Sequence, residues 1–391
     1  MARLLASAAG GGAGTQKKNK TAAEGTMKTN AFGMAVVCLG SALLLVAPGR
    51  VPAQGAPPAA SGPGIQAPRD ARYATYLASH CKTPPPPAPA FPVRVPATAP
   101  PAHREYQVSA IPGVIAAGAT WKTLWTGTGN NADGPIATPD GGVLFAQNSD
   151  SKVLKIDAQG AVSYPYADTN TGGALSRSKQ GALFIVQRGL PQEIWQLEPK
   201  RQRLANQYHG EPLDCTGGLL NDLAADSHGG VYFTMGGLYH ADAKGVVTQY
   251  GTVTGTNGII LSRDEKTLYV TGRLASTPPE PVVPGRRPGG LVAFEVQPDG
   301  SLTHERQFAL VGDDGSTIDS EGRLYTTGGG GVQVVDPNGQ WLGEIPSPLP
   351  LITVLFGGKD KKTLYGVANT QQFVEIFTLP MLAQGYQGRA R

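Results

Sequence analysis

The chain has 391 residues, of which 53 are Gly and 33 are Pro, and only 16% are charged. This Gly-rich, charge-poor composition favours many short strands joined by tight turns and argues against long amphipathic helices. The formal charge of +4 comes from the first 53 residues, which hold six basic side chains and one acidic one. The rest of the chain carries 27 basic and 28 acidic residues, or −1. Without a basic field, the body is not expected to bind nucleic acid.

Residues 27–53 have the pattern of a secretory signal. Lys28 supplies the positive start, Ala35–Val46 is apolar, and the segment ends in small residues with a cut expected after Ala53. The apolar run is shorter than the roughly 20 residues that a transmembrane helix needs. A lipoprotein anchor at Cys38 is the less favoured alternative. The sequence therefore predicts export to the periplasm or the extracellular space, with translation starting at Met27.

Two cysteines, Cys81 and Cys215, would remain after this cleavage. In an oxidising compartment they could form a disulfide, which would tie the N-terminal segment to the body of the protein. They could equally be two separate thiols, because sequence alone does not give their distance.

Proline dominates the segment after the leader. Residues 54–103 hold 13 of the 33 prolines, which predicts an extended linker or surface strap with a short helix over residues 70–81. The predicted organisation is a leader and signal peptide (1–53), a Pro-rich segment (54–105), a folded body (106–380) and a C-terminal tail (381–391).

The folded body contains a repeat. A turn with Gly, Asp or Lys is followed each time by a short apolar strand with an aromatic residue, and the six turns begin at Asp140, Gln180, His228, Asp264, Glu321 and Asp360. These starts are 36 to 57 residues apart, which is the length of a four-stranded propeller blade. The sequence predicts an all-β fold, a six-bladed β-propeller of four-stranded antiparallel blades. Its first strands, over about 108–125, should pair with the last blade. A β-sandwich is the alternative, but it does not account for six near-equivalent units.

Four polar residues lie in comparable register, a few positions before the turns of blades 1, 3, 4 and 5. They are Asp133, Asn221, Asn257 and Asp314. Residues just before a blade's inner strand face the central channel, so the four side chains should meet on one axis. Carboxylate and amide oxygens form a ligand set that suits Ca²⁺ or Mg²⁺. Asn-Gly and Asp-Gly are also ordinary turn pairs, but the shared register favours a metal site.

Several motifs together resemble the SMP-30/gluconolactonase/LRE-like family. The resemblance runs from about residue 131 to 379 and is carried, in order, by Asp133-Gly-Pro, Leu220-Asn-Asp-Leu-Ala-Ala-Asp, Asn257-Gly-Ile-Ile-Leu-Ser-Arg-Asp-Glu-Lys-Thr-Leu-Tyr-Val, Asp314-Gly-Ser-Thr-Ile-Asp-Ser-Glu-Gly-Arg-Leu-Tyr and Phe356-Gly-Gly. It implies a six-bladed propeller with one divalent cation in the channel, and many members of the family are lactonases.

The resemblance also implies roles for these residues. Asp133 stands where the family has a metal-binding Glu, while Asn257 and Asp314 match the other two protein ligands. Asp314 is also the candidate general base, with Asp313 as the alternative. Asn221 matches a residue that contacts the substrate or metal-bound water, and it joins Asp222 in the predicted substrate-binding set and Asp314 in the catalytic set.

Two departures bear on the substrate. Asp133 is one methylene shorter than the usual Glu, and Leu219 lies where sugar-lactonase members carry an Arg, which disfavours a gluconolactone-type substrate. We expect a metal-dependent hydrolase of a small lactone or ester, with Ca²⁺ as the first candidate and Mg²⁺, Mn²⁺ or Zn²⁺ as alternatives. The competing interpretation is a non-catalytic propeller that binds a ligand or partner and holds a structural cation. Oligomeric state does not follow from the sequence.

Overall fold

The structure is a computed structural model that describes residues 71–86, 99–128, 132–277, 290–370 and 373–388. The predicted signal peptide, and with it the prediction of export, lies outside these ranges. In the ranges that are described, no helix is both long and apolar enough to cross a membrane.

The described chain is almost entirely strand. It contains one α-helix, α1 (Ala71–His80), two short 3₁₀ helices at Asn148–Asp150 and Leu213–Thr216, and the following strands: β1 (Lys122–Thr128), β2 (Ala132–Ala137), β3 (Val143–Gln147), β4 (Lys152–Ile156), β5 (Val162–Tyr166), β6 (Gly172–Arg177), β7 (Leu183–Gln187), β8 (Glu193–Glu198), β9 (Gln202–Ala205), β10 (Gln207–Tyr208), β11 (Glu211–Pro212), β12 (Leu223–Ala225), β13 (Val231–Met235), β14 (Gly237–Ala241), β15 (Val247–Tyr250), β16 (Ile259–Leu261), β17 (Thr267–Thr271), β18 (Leu291–Val296), β19 (Leu302–Ala309), β20 (Ser316–Ile318), β21 (Leu324–Gly328), β22 (Gly331–Val335), β23 (Trp341–Pro346), β24 (Thr353–Gly357), β25 (Thr363–Thr370) and β26 (Phe373–Pro380).

Twenty-four of these strands form six four-stranded antiparallel sheets, and β10 pairs only with β11. In chain order the blades are β2–β5, β6–β9, β12–β15, β16–β19, β20–β23 and, for blade 6, β24–β26 with β1. The predicted six-bladed propeller is confirmed. All six turn motifs of the sequence repeat fall between the first and second strands of a blade. Gly141, Gly181 and Gly229 have φ of 90°, 92° and 89° there, a conformation that only Gly adopts without steric cost.

The ring is closed by the N-terminal strand of the body. β1 is the outer strand of blade 6 and pairs with β26, from Lys122 opposite Thr378 to Thr128 opposite Phe373. Pairing with the last blade was expected, but the strand starts later than the predicted 108–125. The residues before it instead place Val108, Val114 and Trp121 in the core that blades 5 and 6 share.

The core lies between neighbouring blades, because each blade can bury both faces only against the next. The aromatic residues of the repeat supply much of it: Phe145, Phe184, Phe233 and Tyr325 are fully buried on second strands. Phe184 and Phe233 belong to one cluster that joins blades 2 and 3. Burying each such side chain stabilises the fold by about 1.5–3 kcal/mol.

The helix α1 lies within the predicted 70–81 and packs against the 3₁₀ helix Leu213–Thr216 and the loop between β7 and β8. Tyr73 and Leu77 are buried in a cluster with Leu190. A disulfide joins Cys81 to Cys215, with their Cα atoms 5.5 Å apart. The structure therefore decides between the two alternatives for these cysteines, in favour of the bond that ties this segment to blade 3.

Candidate functional site

The four predicted channel residues occupy one repeated position. Counting back four residues from the last residue of each inner strand gives, blade by blade, Asp133, Gly173, Asn221, Asn257, Asp314 and Thr353. We call these six residues the channel ring. Because the six inner strands surround the propeller axis, equivalent positions on them face the same central channel.

Glycines next to the ring let the inner strands come close together. A Cβ atom on Gly258 would overlap the carbonyl oxygen of Asp314, and one on Gly315 would overlap the hydroxyl of Thr353. Gly134 lies in the same way against Ala174 of the next blade. The Asn-Gly and Asp-Gly pairs are therefore not hairpin turns. Gly is required there because a neighbouring blade occupies the space of its side chain.

Two of the predicted side chains contact each other, and the second of them reaches the backbone of Asp313, next to Asp314. Asn221 Nδ2 donates to Asn257 Oδ1 at 2.6 Å, and Asn257 Nδ2 donates to the carbonyl oxygen of Asp313 at 3.3 Å. Asn221, Asn257 and Asp314 are half-buried, whereas Asp313 is exposed. Asp133 lies in β2 opposite Ala146, and its side chain is outside the described part of the structure.

Asp222, the other predicted substrate-binding residue, is buried and bonded to backbone. It is only 3% exposed, and its Oδ2 accepts a hydrogen bond from the backbone N–H of Ile259 at 3.1 Å. Its Oδ1 accepts from the N–H of Leu223 at 2.8 Å. The carboxylate thus links the inner strands of blades 3 and 4, and its part in substrate binding stays a prediction.

Arg188 was not among the sequence candidates, yet it contacts the ring. It directly follows β7 and is 6% exposed. Its Nη2 donates both to the carbonyl oxygen of Asn221 at 2.7 Å and to Asn221 Oδ1 at 2.8 Å. Its Nε donates to the carbonyl oxygen of Leu220 at 2.8 Å. Sequence reasoning missed it because the ring position of blade 2 is Gly173, which gave no polar signal.

The donor set fits a hard cation. Asn257 and Asp314 offer oxygen atoms. The neighbouring Thr353 is fully buried, and its hydroxyl has no hydrogen-bond partner among the described residues. Such oxygen ligands suit Ca²⁺ or Mg²⁺. Among the described side chains, no three His, Cys, Asp or Glu residues group together as a metal site. The channel ring falls outside that definition, because amide and hydroxyl oxygens supply most of its ligands and Asp314 is its only described carboxylate side chain.

The fold and the ring define a six-bladed propeller with a polar central channel, and sequence comparison places it in a family. The model of the SMP-30/Gluconolactonase/LRE-like region matches residues 163–368, which is more than half of the chain. The protein therefore belongs to the SMP-30/gluconolactonase/LRE-like family.

Individual relatives match less of the chain. Lactonase drp35 of Staphylococcus aureus (strain MRSA252) is 32% identical over 147 residues, which are 33% of this chain and 42% of the relative. The match thus spans less than half of that relative's length.

Solved structures agree on the fold. A gluconolactonase from Xanthomonas campestris has a TM-score of 0.57 at 24% identity, covering 75% of this chain and 99% of that one. Regucalcin from Agrobacterium tumefaciens, a calcium-binding protein, has a TM-score of 0.53 at 18% identity, covering 68% and 96%. At these identities the likeness describes the architecture.

Proposed function

We propose that the protein is a metal-dependent hydrolase of a small lactone or ester, with its reaction centre at the channel ring. The observation that carries the proposal is the convergence of Asn221, Asn257 and Asp314 at equivalent positions of three blades. The membership of the SMP-30/gluconolactonase/LRE-like family and the similarity to a lactonase support it.

We assign roles to four of the ring residues from the chemistry of their side chains. Asn257 and Asp314, together with Asp133, would hold a divalent cation, with Ca²⁺ as the first candidate. When bound, such a cation polarises the carbonyl of the substrate and stabilises developing negative charge. The Asp314 carboxylate takes the proton from the attacking water as general base. Asn221, whose NH₂ group points along the ring toward Asn257, is placed to donate a hydrogen bond to the substrate.

The rim beside the ring favours a lactone with few hydroxyl groups. Leu219, two residues before Asn221, is 36% exposed and offers no hydrogen-bond donor. A site that recognises a polyhydroxylated ring needs polar groups at its rim, because unpaired hydroxyls are costly to bury. We therefore place aliphatic lactones ahead of sugar lactones as substrates.

We further propose that the protein is exported and cleaved after Ala53. The charge and apolar pattern of residues 27–53 supports this, and so does the Cys81–Cys215 disulfide, because such bonds persist in oxidising compartments.

A panel of aliphatic and sugar lactones, assayed with and without a chelator and with Ca²⁺, Mg²⁺, Mn²⁺ or Zn²⁺ added back, tests the proposed activity. We expect chelation to abolish turnover and one cation to restore it. Asp314→Asn and Asn257→Ala should each lower kcat/KM by about 100-fold or more and reduce the bound metal.

Asp360→Asn is the matched control for Asp314→Asn. Asp360 is exposed, and its Oδ1 only accepts from the N–H of Lys362 in the turn of blade 6, so activity should not change. If no lactone is hydrolysed with any cation, the protein is a binding propeller instead. If Asp314→Asn and Asn257→Ala keep full activity and metal content, the site is elsewhere.

A further inference from the structure

Blade 2 contributes to the channel in a different way from the other blades. Its ring position is Gly173, and a Cβ atom there would lie 2.5 Å from Nε and 2.7 Å from Cζ of Arg188. The guanidinium group therefore fills the space where the other ring positions carry a side chain. It reaches this space from the end of the second strand, not from the inner strand.

The contacts of Arg188 fix the direction of an amide. The two ends of an Asn side chain have nearly the same shape, but one end accepts hydrogen bonds and the other donates them. Arg188 has only donors, and its Nη2 lies 2.8 Å from Asn221 Oδ1. The oxygen of Asn221 must therefore face the guanidinium group, and its NH₂ group must face the ring.

The direction is passed on to the next blade. Asn221 Nδ2 donates to Asn257 Oδ1, so Asn257 in turn directs its NH₂ group to the carbonyl oxygen of Asp313. Arg188, Asn221 and Asn257 thus form a hydrogen-bonded chain across three blades. Arg188 only donates, and each of the two Asn side chains accepts from the group before it and donates to the one after it.

We infer that Arg188 is a positioning residue, which sets the amide orientation of Asn221 and, through it, that of Asn257. Its effect on catalysis rests on the proposed lactonase function, whereas its effect on the amides does not. If Arg188 were absent, Asn221 could turn its oxygen toward Asn257. Two amide oxygens would then face each other, or Asn257 would have to rotate as well.

The chain offers a matched control. Arg188 is the first residue after the second strand of blade 2, and Arg273 is the second residue after the second strand of blade 4, with an exposed side chain. A change of Arg273 to Met removes the same charge and side-chain type near the end of the corresponding strand of another blade. It should leave the ring unaffected.

A double-mutant cycle on kcat/KM tests the catalytic consequence. Arg188→Met should lower kcat/KM by about tenfold in the wild-type background and by less than about twofold in an Asn221→Ala background, because residues in direct contact are coupled. A merely structural role would lower activity equally in both backgrounds. Arg188→Gln, which removes the charge and can itself accept a hydrogen bond from Asn221, provides the same test if the Met variant does not fold.

Side-chain NMR of protein labelled with ¹⁵N-asparagine tests the orientation without any activity. The NH₂ signals of Asn221 and Asn257, assigned from their loss in Asn221→Ala and Asn257→Ala, should shift in Arg188→Met or Arg188→Gln and remain unchanged in Arg273→Met. If the protein hydrolyses no lactone, the function is wrong, but this spectrum still decides the role of Arg188. Unchanged NH₂ signals, or equal losses of activity in the two backgrounds, would overturn the inference.

Discussion

At the scale of single residues, the channel ring shows which positions a sequence reveals. Asp133, Asn221, Asn257 and Asp314 were visible because each is a polar residue a few positions before a blade's turn, in a register that four blades share. Thr353 has the same register but reads as an ordinary strand residue. The contact of Arg188 with Asn221 depends on the packing of two blades, which no local pattern reports.

The glycines that follow ring residues should tolerate no side chain. Gly258→Ala would push a Cβ atom into the carbonyl oxygen of Asp314, and backbone cannot move aside as a flexible side chain can. We expect the free energy of unfolding to fall by about 1–3 kcal/mol, as for other overpacked sites. Urea unfolding measures this loss.

Gly237→Ala is the control for that substitution. Gly237 also lies in a blade, but the nearest atom to its added Cβ is the side-chain Nε2 of Gln249 at 3.2 Å, which can rotate away. Gly237→Ala should lower the free energy of unfolding by less than about 1 kcal/mol. If the two variants are equally stable, close approach is not the reason for Gly at position 258.

At the scale of elements, the hairpin between the first two strands of a blade was the most predictable feature. Its signal is local: a turn residue, a Gly at positive φ in four of the six blades, and a short apolar strand with an aromatic residue, all within seven positions. The outer strands gave weaker signals because one face is exposed, as in β5, where Val162 and Tyr164 are 40% and 56% exposed. The strand β1 was placed too early for the same reason.

One of these hairpins carries a buried contact between a carboxylate and an imidazole that should make stability depend on pH. Asp226 Oδ2 lies 2.7 Å from Nε2 of His240, and both residues are buried. Burial by itself raises the pKa of Asp226. The hydrogen bond from His240 and those from the backbone N–H groups of Gly230 and His228 outweigh it, and the net pKa is lowered.

Because the folded pKa of Asp226 is below the unfolded value of about 3.9, this group stabilises the fold above pH 4. The contribution is lost as the pH falls through the folded pKa. Asp226→Asn should therefore lower the free energy of unfolding by about 1–3 kcal/mol at pH 7. The difference from wild type should narrow below pH 4, as urea unfolding at pH 7, 4.5 and 3 would show.

The variant Asp242→Asn distinguishes the contribution of the Asp226–His240 contact from that of the turn hydrogen bonds. Asp242 Oδ1 accepts from the N–H groups of Lys244 at 2.8 Å and Val246 at 2.9 Å, the same pattern that Asp226 Oδ1 makes with His228 and Gly230. Asp242→Asn should lower the free energy of unfolding at pH 7 by less than Asp226→Asn does. An equal loss, or a difference for Asp226→Asn that stays constant down to pH 3, would contradict this assignment.

At the scale of the whole molecule, the number of blades could be predicted from the repeat. The closure of the ring and the attachment of α1 depend instead on contacts between residues far apart in the sequence. The β1–β26 pairing joins residues about 250 positions apart, and the disulfide joins residues 134 positions apart. Such contacts depend on the finished ring, so spacing along the chain could suggest a pairing of Cys81 with Cys215 but could not decide it.

The compartment should decide whether this disulfide forms. Produced with its leader in a bacterium that has a periplasm, the mature protein should begin at Gln54 by mass spectrometry and show no free thiol when denatured. Produced without residues 1–53 in a reducing cytosol, it should show both thiols and be less stable by about 2–4 kcal/mol, because the reduced chain gains freedom on unfolding. The variant Cys81→Ser/Cys215→Ser should match the reduced protein in stability in either compartment. A retained leader, or two free thiols in the exported protein, would mean that the signal and the disulfide do not belong to one exported state.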